Sequence, residues 1–153
     1  MSREIKFRAW NIKQKLMAKV SSLHSSMKIH VSYKKGKEKN GHFFGGNWVG
    51  ADWNKEESII MQFTGLKDKN GVDIYEGDEI KFHTGMKNRD SINTKICFNQ
   101  GCFGFRSLDH DGVKVISSFI PFSSIQSSLQ NNNIWLDDEE ILEVVGNIHE
   151  NKD

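Results

Sequence analysis

The chain has 153 residues, enough for one domain that buries its own core without metal or disulfide support. Its 21 Lys and Arg against 20 Asp and Glu leave a formal charge of +1, which excludes a global electrostatic pull toward nucleic acid or membrane. With 37% hydrophobic and 27% charged residues, no apolar run near the ~18 residues of a membrane span and no signal-peptide pattern, the expected setting is the cytoplasm.

Thirteen glycines against one proline predict turns made by Gly and Asn, the pattern of a chain of short hairpins. Glu4 to Trp10 alternates Ile5, Phe7 and Ala9 with Lys6, Arg8 and Trp10, which predicts a first strand. The polar residues Asn11 to Lys15 lead into Leu16 to Val20 as its hairpin partner, and a weaker pattern through Ile29 and Val31 predicts a strand from Met27 to Tyr33. Lys34 to Gly41 then reads as a solvated loop, the most basic spot in the chain, through Lys34, Lys35, Lys37 and Lys39.

Next comes His42 to Trp53, in which Phe43, Phe44, Trp48 and Trp53 are separated by glycines. That spacing is unusual for a core strand and leaves three uses open: covering a core, contacting a protein partner, or stacking on bases. No Lys-Ser or Lys-Thr follows the glycines, so they make no phosphate-cradling loop.

Ile59 to Thr64 is too short for a helix and rich in strand formers, so it predicts a strand that Gly65 ends. Asn70-Gly71 is expected to supply the positive backbone angles of a tight reversal, and Glu79 to Phe82 alternates as a half-buried strand entered through Glu76-Gly77-Asp78. After a polar connection from His83 to Asn93, Thr94 to Phe98 and Gly101 to Phe105 read as a hairpin. Cys97 and Cys102 flank its turn and are expected to be free thiols, because a structural zinc site would need two more nearby ligands.

Asp109 to Gly112 predicts a turn, Val113 to Ile120 a strand, and Phe122 to Leu129 one or two helical turns. An acidic run, Asp137 to Glu140, precedes a buried strand from Ile141 to Ile148, with Gly146-Asn147 permitting a bulge or bend near its end.

Three segments together resemble the YopX family of phage and prophage proteins. They are Arg3 to Trp10, the central stretch from Met61 to Gly71 continuing through Ile74 to Ile80, and the closing Glu143 to Asn151. Residues 21 to 57 have no counterpart in that resemblance. It implies a phage or prophage origin and carries no established activity with it.

The resulting expectation is a mainly β protein with little helix. Residues 1–57 form an N-terminal β hairpin region with a variable insertion, and 58–153 form a small, strongly bent, SH3-like β-barrel, packed as one compact unit. Nucleophile elbow, P-loop, dinucleotide fingerprint, His-Glu-x-x-His and Cys-x-x-Cys are all missing from the sequence, so the expected role is non-enzymatic, with no cofactor. A phage or host protein is the expected partner, through Phe43, Phe44, Trp48 and Trp53; nucleic acid, through Lys34, Lys35, Lys37 and Lys39, is the alternative. The basic and acidic clusters, together with the aromatics, also predict a homo-oligomer.

Overall fold

The computed structural model describes residues 4–24, 27–39, 42–82, 92–107, 119–124 and 142–150, without the side chains of 34–39, 42–48, 92 and 107. The Asp109 to Gly112 turn, most of the Val113 to Ile120 strand, the helix beyond Ser124 and the acidic run Asp137 to Glu140 lie outside the described residues. The chain divides into two compact units, residues 5–62 and residues 63–153 joined by 1–4. The protein is mainly β, built from two antiparallel sheets, with a 3-10 turn at Lys55–Glu57 and a helical stretch at 122–124.

In the first unit β1 (Phe7–Asn11), β2 (Leu16–Leu23), β3 (Lys28–Lys39) and β4 (His42–Asn54) pair in sequence order, and β5 (Ser58–Lys67) pairs on the other side of β1. The turn between β1 and β2 is closed by Asn11, whose side-chain oxygen accepts the N–H groups of Lys13 and Gln14. Alternation along the strands sends Ala9, Ala18, Ile29, Val31 and Trp53 to one buried cluster, with Leu16, Val20, Tyr33, Ala51 and Ile60 packed against it. The weak serine-broken pattern is enough for a strand because Ile29, Val31 and Tyr33 join this cluster, while Met27 stands exposed before β3 begins.

In the second unit β5 ends and β6 (Asp73–Tyr75) pairs with it, and a five-stranded sheet runs β10-β9-β8-β7-β11. Its strands are β7 (Asp78–Phe82), β8 (Ile92–Asn99), β9 (Cys102–Ser107), β10 (Phe119–Pro121) and β11 (Leu142–Asn147). Ile74, Ile80, Ile96, Phe103, Phe105 and Leu142 form its core, and Phe122 stacks on Phe105 at 4.8 Å between centroids. Asn99 and Cys102 close the β8–β9 hairpin through Gln100 and Gly101, both at positive φ, the backbone that a two-residue reversal between twisted strands requires.

Four expectations need correction. Among the described residues the five-stranded sheet is open, with β10 and β11 at its edges, and no closed SH3-like barrel is seen. Gly65 does not end β5: at φ 96° it forms a bulge, where the pairing with β6 shifts between Phe63 and Lys67, and the strand runs on to Lys67. Only Gly71 of the Asn70-Gly71 pair takes a positive φ; the turn is closed by main-chain bonds from the Gly71 N–H to the Asp68 carbonyl and from the Asp68 N–H to the Val72 carbonyl, with the Asp68 carboxylate accepting from Asn70 and Val72 as well. Lys34 to Lys39 is strand and not loop, since β3 pairs with β4 as far as Lys39 and His42. The predicted bulge in β11 is present between Val144 and Gly146.

Candidate functional site

The conspicuous central stretch turns out to be a structural fastening. Asp68 is buried, and one of its oxygens accepts the N–H groups of Asn70 and Val72 while the other accepts that of Val144. Burial pushes its carboxyl up, but the hydrogen bonds from Val72, Val144 and Asn70 outweigh that and hold it below the ordinary value. Beside it the backbone N–H of Lys69 donates to the carbonyl of Leu142, and the Lys69 ammonium pairs with Glu143 at 2.8 Å. The β5–β6 turn is thereby tied to β11.

Asp78 does the same for the next turn. It is 1% exposed, and its oxygens accept the Tyr75 N–H at 2.8 Å and the side-chain amide of Asn147 at 3.2 Å. Gly77, at φ 82°, donates to the carbonyl of Ile96 and accepts from the N–H of Ile148, so its backbone is wedged between two segments. Carboxylates used as backbone acceptors in this way are occupied, and the geometry assigns them to fold stability.

The candidate residues singled out in the sequence lie on the hairpin of β3 and β4. These strands have 12 and 13 residues, long against the usual ~3–10. Strand β2 accompanies β3 between Leu23↔Ile29 and Lys19↔Ser32, so among the described residues the pair continues beyond Tyr33 as a two-stranded ribbon. The register sets Lys34 opposite Trp48, Lys35 opposite Asn47, Lys37 opposite Phe44, Glu38 opposite Phe43 and Lys39 opposite His42. One residue more on β4 than on β3 between the Lys35 and Lys37 pairs places a bulge at Gly45-Gly46.

Two of the four lysines, Lys34 and Lys37, are therefore cross-strand partners of aromatics, Trp48 and Phe44, although these are separate features in the sequence. Trp53 is not among them. It is paired with Ile29, 4% exposed, and stacked on Tyr33 at 5.9 Å, a core residue of the first unit.

At the base of the hairpin is a pair that the sequence reading missed. His30 and Asp52 are register partners, and the His30 Nδ1 lies 2.7 Å from an Asp52 carboxylate oxygen. The hydrogen bond from His30 lowers the Asp52 carboxyl below its ordinary value; burial opposes it, and the charges of His30, Lys28 and His24 add to the lowering. The imidazole packs along Gly50, where a Cβ would sit 3.4 Å from Nε2. Both side chains are open to solvent. The two residues are 22 positions apart, so only the register reveals them.

The thiols are free and half-buried, with Cys102 at the hairpin turn. Burial pushes the Cys97 thiol up against the pull of Arg106 and Lys95, which leaves it a poor nucleophile at neutral pH. Among the described residues no three His, Cys, Asp or Glu side chains group to hold a metal, and no helix is long and apolar enough to cross a membrane.

Comparison with known proteins agrees with the fold. No curated protein matches the chain. Among solved structures it is similar to protein EF1440 from Enterococcus faecalis, at 28% identity and a TM-score of 0.55, covering 98% of this chain and 96% of that one. The model of the family described as YopX protein matches residues 6–153, which takes in the unassigned segment 21–57 as well as the three matched segments. The chain belongs to the YopX family.

Proposed function

We propose that this chain is a phage- or prophage-encoded, non-enzymatic protein-binding module that works in the bacterial cytoplasm, with the β3–β4 ribbon as its contact surface. The observation that carries the reading is the register, which sets Lys34 against Trp48 and Lys37 against Phe44. Aromatic and cationic residues side by side suit a partner with an acidic rim around an apolar centre. Between 34 and 48 four lysines stand against one glutamate, while the whole chain carries +1, so the ribbon is a local positive patch on a molecule that is slightly negative elsewhere. The fastened carboxylates at Asp68 and Asp78 and the raised thiol at Cys97 support a role without catalysis. The partner is a phage or host protein.

A pull-down from lysogenic or phage-infected cells tests this, comparing wild type with Phe44→Ala and Trp48→Ala. Both variants are expected to lose the partners that the wild type holds, and retention of the same partners by both sinks the ribbon as the contact. The ribbon also offers the lysines and stacking surfaces that single-stranded nucleic acid takes. Titration of a labelled oligonucleotide decides between the classes. Binding at low salt with affinity falling at a log-log slope of ~2.8, four phosphate contacts at ~0.7 each on a single strand, would move the assignment to nucleic acid.

A further inference from the structure

Cys97 and Cys102 are the chain's two cysteines, and the fold brings them to one face of the β8–β9 hairpin. Cys97 is the register partner of Gly104 and Cys102 that of Asn99, two residues along, so the thiols are diagonal neighbours. Each reaches toward the opposite strand, Cys97 donating to the Gly104 carbonyl at 3.8 Å and Cys102 to the Asn99 carbonyl at 3.5 Å. A disulfide needs Cβ atoms about 3.5 to 4.5 Å apart, and diagonal neighbours stand wider, at roughly 7 Å. An ion held between two sulfurs adds two bonds of about 2.3 Å, the length of a zinc–thiolate bond, and spans that gap.

The charges around the pair suit one thiolate-bound ion. Lys95 and Arg106 are register partners two residues along the same face, and both act on Cys97. Glu79 faces Lys95 from β7 and Glu76 opposes the cations at Cys97, so of the two positive charges Arg106 is the one left to balance an anion. Its Nε is buried and has no hydrogen-bond partner. A buried donor without an acceptor is costly, and a thiolate sulfur is such an acceptor. On the β10 side the Phe119 ring fills the space beside Gly104, where a Cβ would lie 2.5 Å from it, so an aromatic wall stands next to the Cys97–Gly104 pair.

We propose that Cys97 and Cys102 hold a soft closed-shell cation, copper(I), between their sulfurs, with Arg106 beside it as the counter-charge. Thiolates select this ion, and two of them satisfy it. Structural zinc takes four ligands, and among the described residues no three His, Cys, Asp or Glu side chains group together. Binding forms two copper–sulfur bonds and breaks two S–H bonds; both protons pass to water and the ion keeps its oxidation state. The complex bears one negative charge, which the Arg106 guanidinium balances. Burial pushes the Cys97 thiol up against the pull of Arg106 and Lys95, so this sulfur holds its proton until the ion displaces it. All of these residues belong to the second unit, so the site is independent of the ribbon and its partner.

Competition for copper(I) between the reduced protein and the chelator bicinchoninate, without oxygen, tests this. The wild type is expected to take one ion per chain and to release two protons. Cys97→Ser and Cys102→Ser keep the side-chain size, and each should lose more than about 100-fold in affinity, beyond the ~10–100-fold that a neighbour of a ligand carries. Arg106→Met should lose about tenfold. Circular dichroism checks that the variants fold, and a readout on the unaltered chain stands beside them: one equivalent of copper(I) should protect both thiols from alkylation by iodoacetamide. A wild type that leaves the copper with the chelator overturns the inference. So do serine variants that bind as the wild type does, two ions per chain of which each variant keeps one, protection of a single thiol, or an Arg106→Met variant as tight as the wild type.

Discussion

The turn between β5 and β6 and the ribbon of β3 and β4 are both antiparallel reversals, yet their shapes are set by different kinds of contact. In the first, Asp68 collects three backbone N–H groups with two oxygens, and Lys69 adds a main-chain and a side-chain tie to β11. In the second, the described contacts beyond Tyr33 are the ladder itself. A buried carboxylate with its acceptor capacity filled fixes a conformation because losing it strands several donors at once. A two-stranded ribbon is marginal in water by its own ladder and gains order when something pairs with it or packs on it. The difference separates the part of the chain that fastens the fold from the part to which the proposed function assigns the contact.

The largest effect should come from removing a filled carboxylate. Asp78→Ala leaves the Tyr75 N–H and the Asn147 amide without their acceptor in a site 1% exposed, a cost of about 3 kcal/mol. Urea denaturation is the measurement. A loss under about 1 kcal/mol would mean that water replaces the carboxylate and that the fastening is not what holds this turn.

Steric closure at Gly104 comes next. A Cβ there would lie 2.4 Å from the carbonyl oxygen of Ile120 and 2.5 Å from the Phe119 ring, so Gly104→Ala forces β10 away from β9. The expected loss is about 1 to 3 kcal/mol, the range of overpacking. Amide exchange of Phe119 and Ile120 should rise with it, and protection unchanged at both would show that the strand yields without detaching.

Much of this was legible in the sequence where local preference and tertiary packing agree. The alternation in Glu79 to Phe82 and the glycine turn before Cys102 follow from residue types that want the geometry they receive, whereas the irregularity of β11 falls at Val145, between the Val144 and Gly146 pairs. The failures are places where a partner strand decides. Lys34 to Lys39 has poor strand-forming residues and a glycine, so on its own it reads as loop; pairing with His42 to Trp48 makes it strand. Gly65 looks like a stop, yet a bulge with positive φ is also a glycine's place. Of the candidate site, the residue types were readable but their adjacency was not. Trp53 illustrates the limit most clearly, since by type it matches Trp48, and only the register with Ile29 sends it to the core.

The smallest expected effect contrasts Asp52 with Asp68 by pH and salt. Both carboxyls are held below their ordinary value, so each adds stability that is present above the unfolded value and is lost as pH falls through the folded one. Asp68→Asn should cost about 1 to 2 kcal/mol at neutral pH, since an amide supplies one acceptor oxygen where two were used. That difference should shrink on acidification below the unfolded value, 3.8, and stay almost unchanged in molar salt, because the interactions are short and shielded from solvent. Asp52→Asn should shift the denaturation midpoint only slightly at neutral pH, in the same direction on acidification, and the shift should disappear in salt, because both partners of the His30 pair stand in solvent. A salt-resistant loss at Asp52 would show that the base of the β3–β4 hairpin is fastened like the β5–β6 turn, and the division between a fixed region and a free one would then begin only beyond Tyr33.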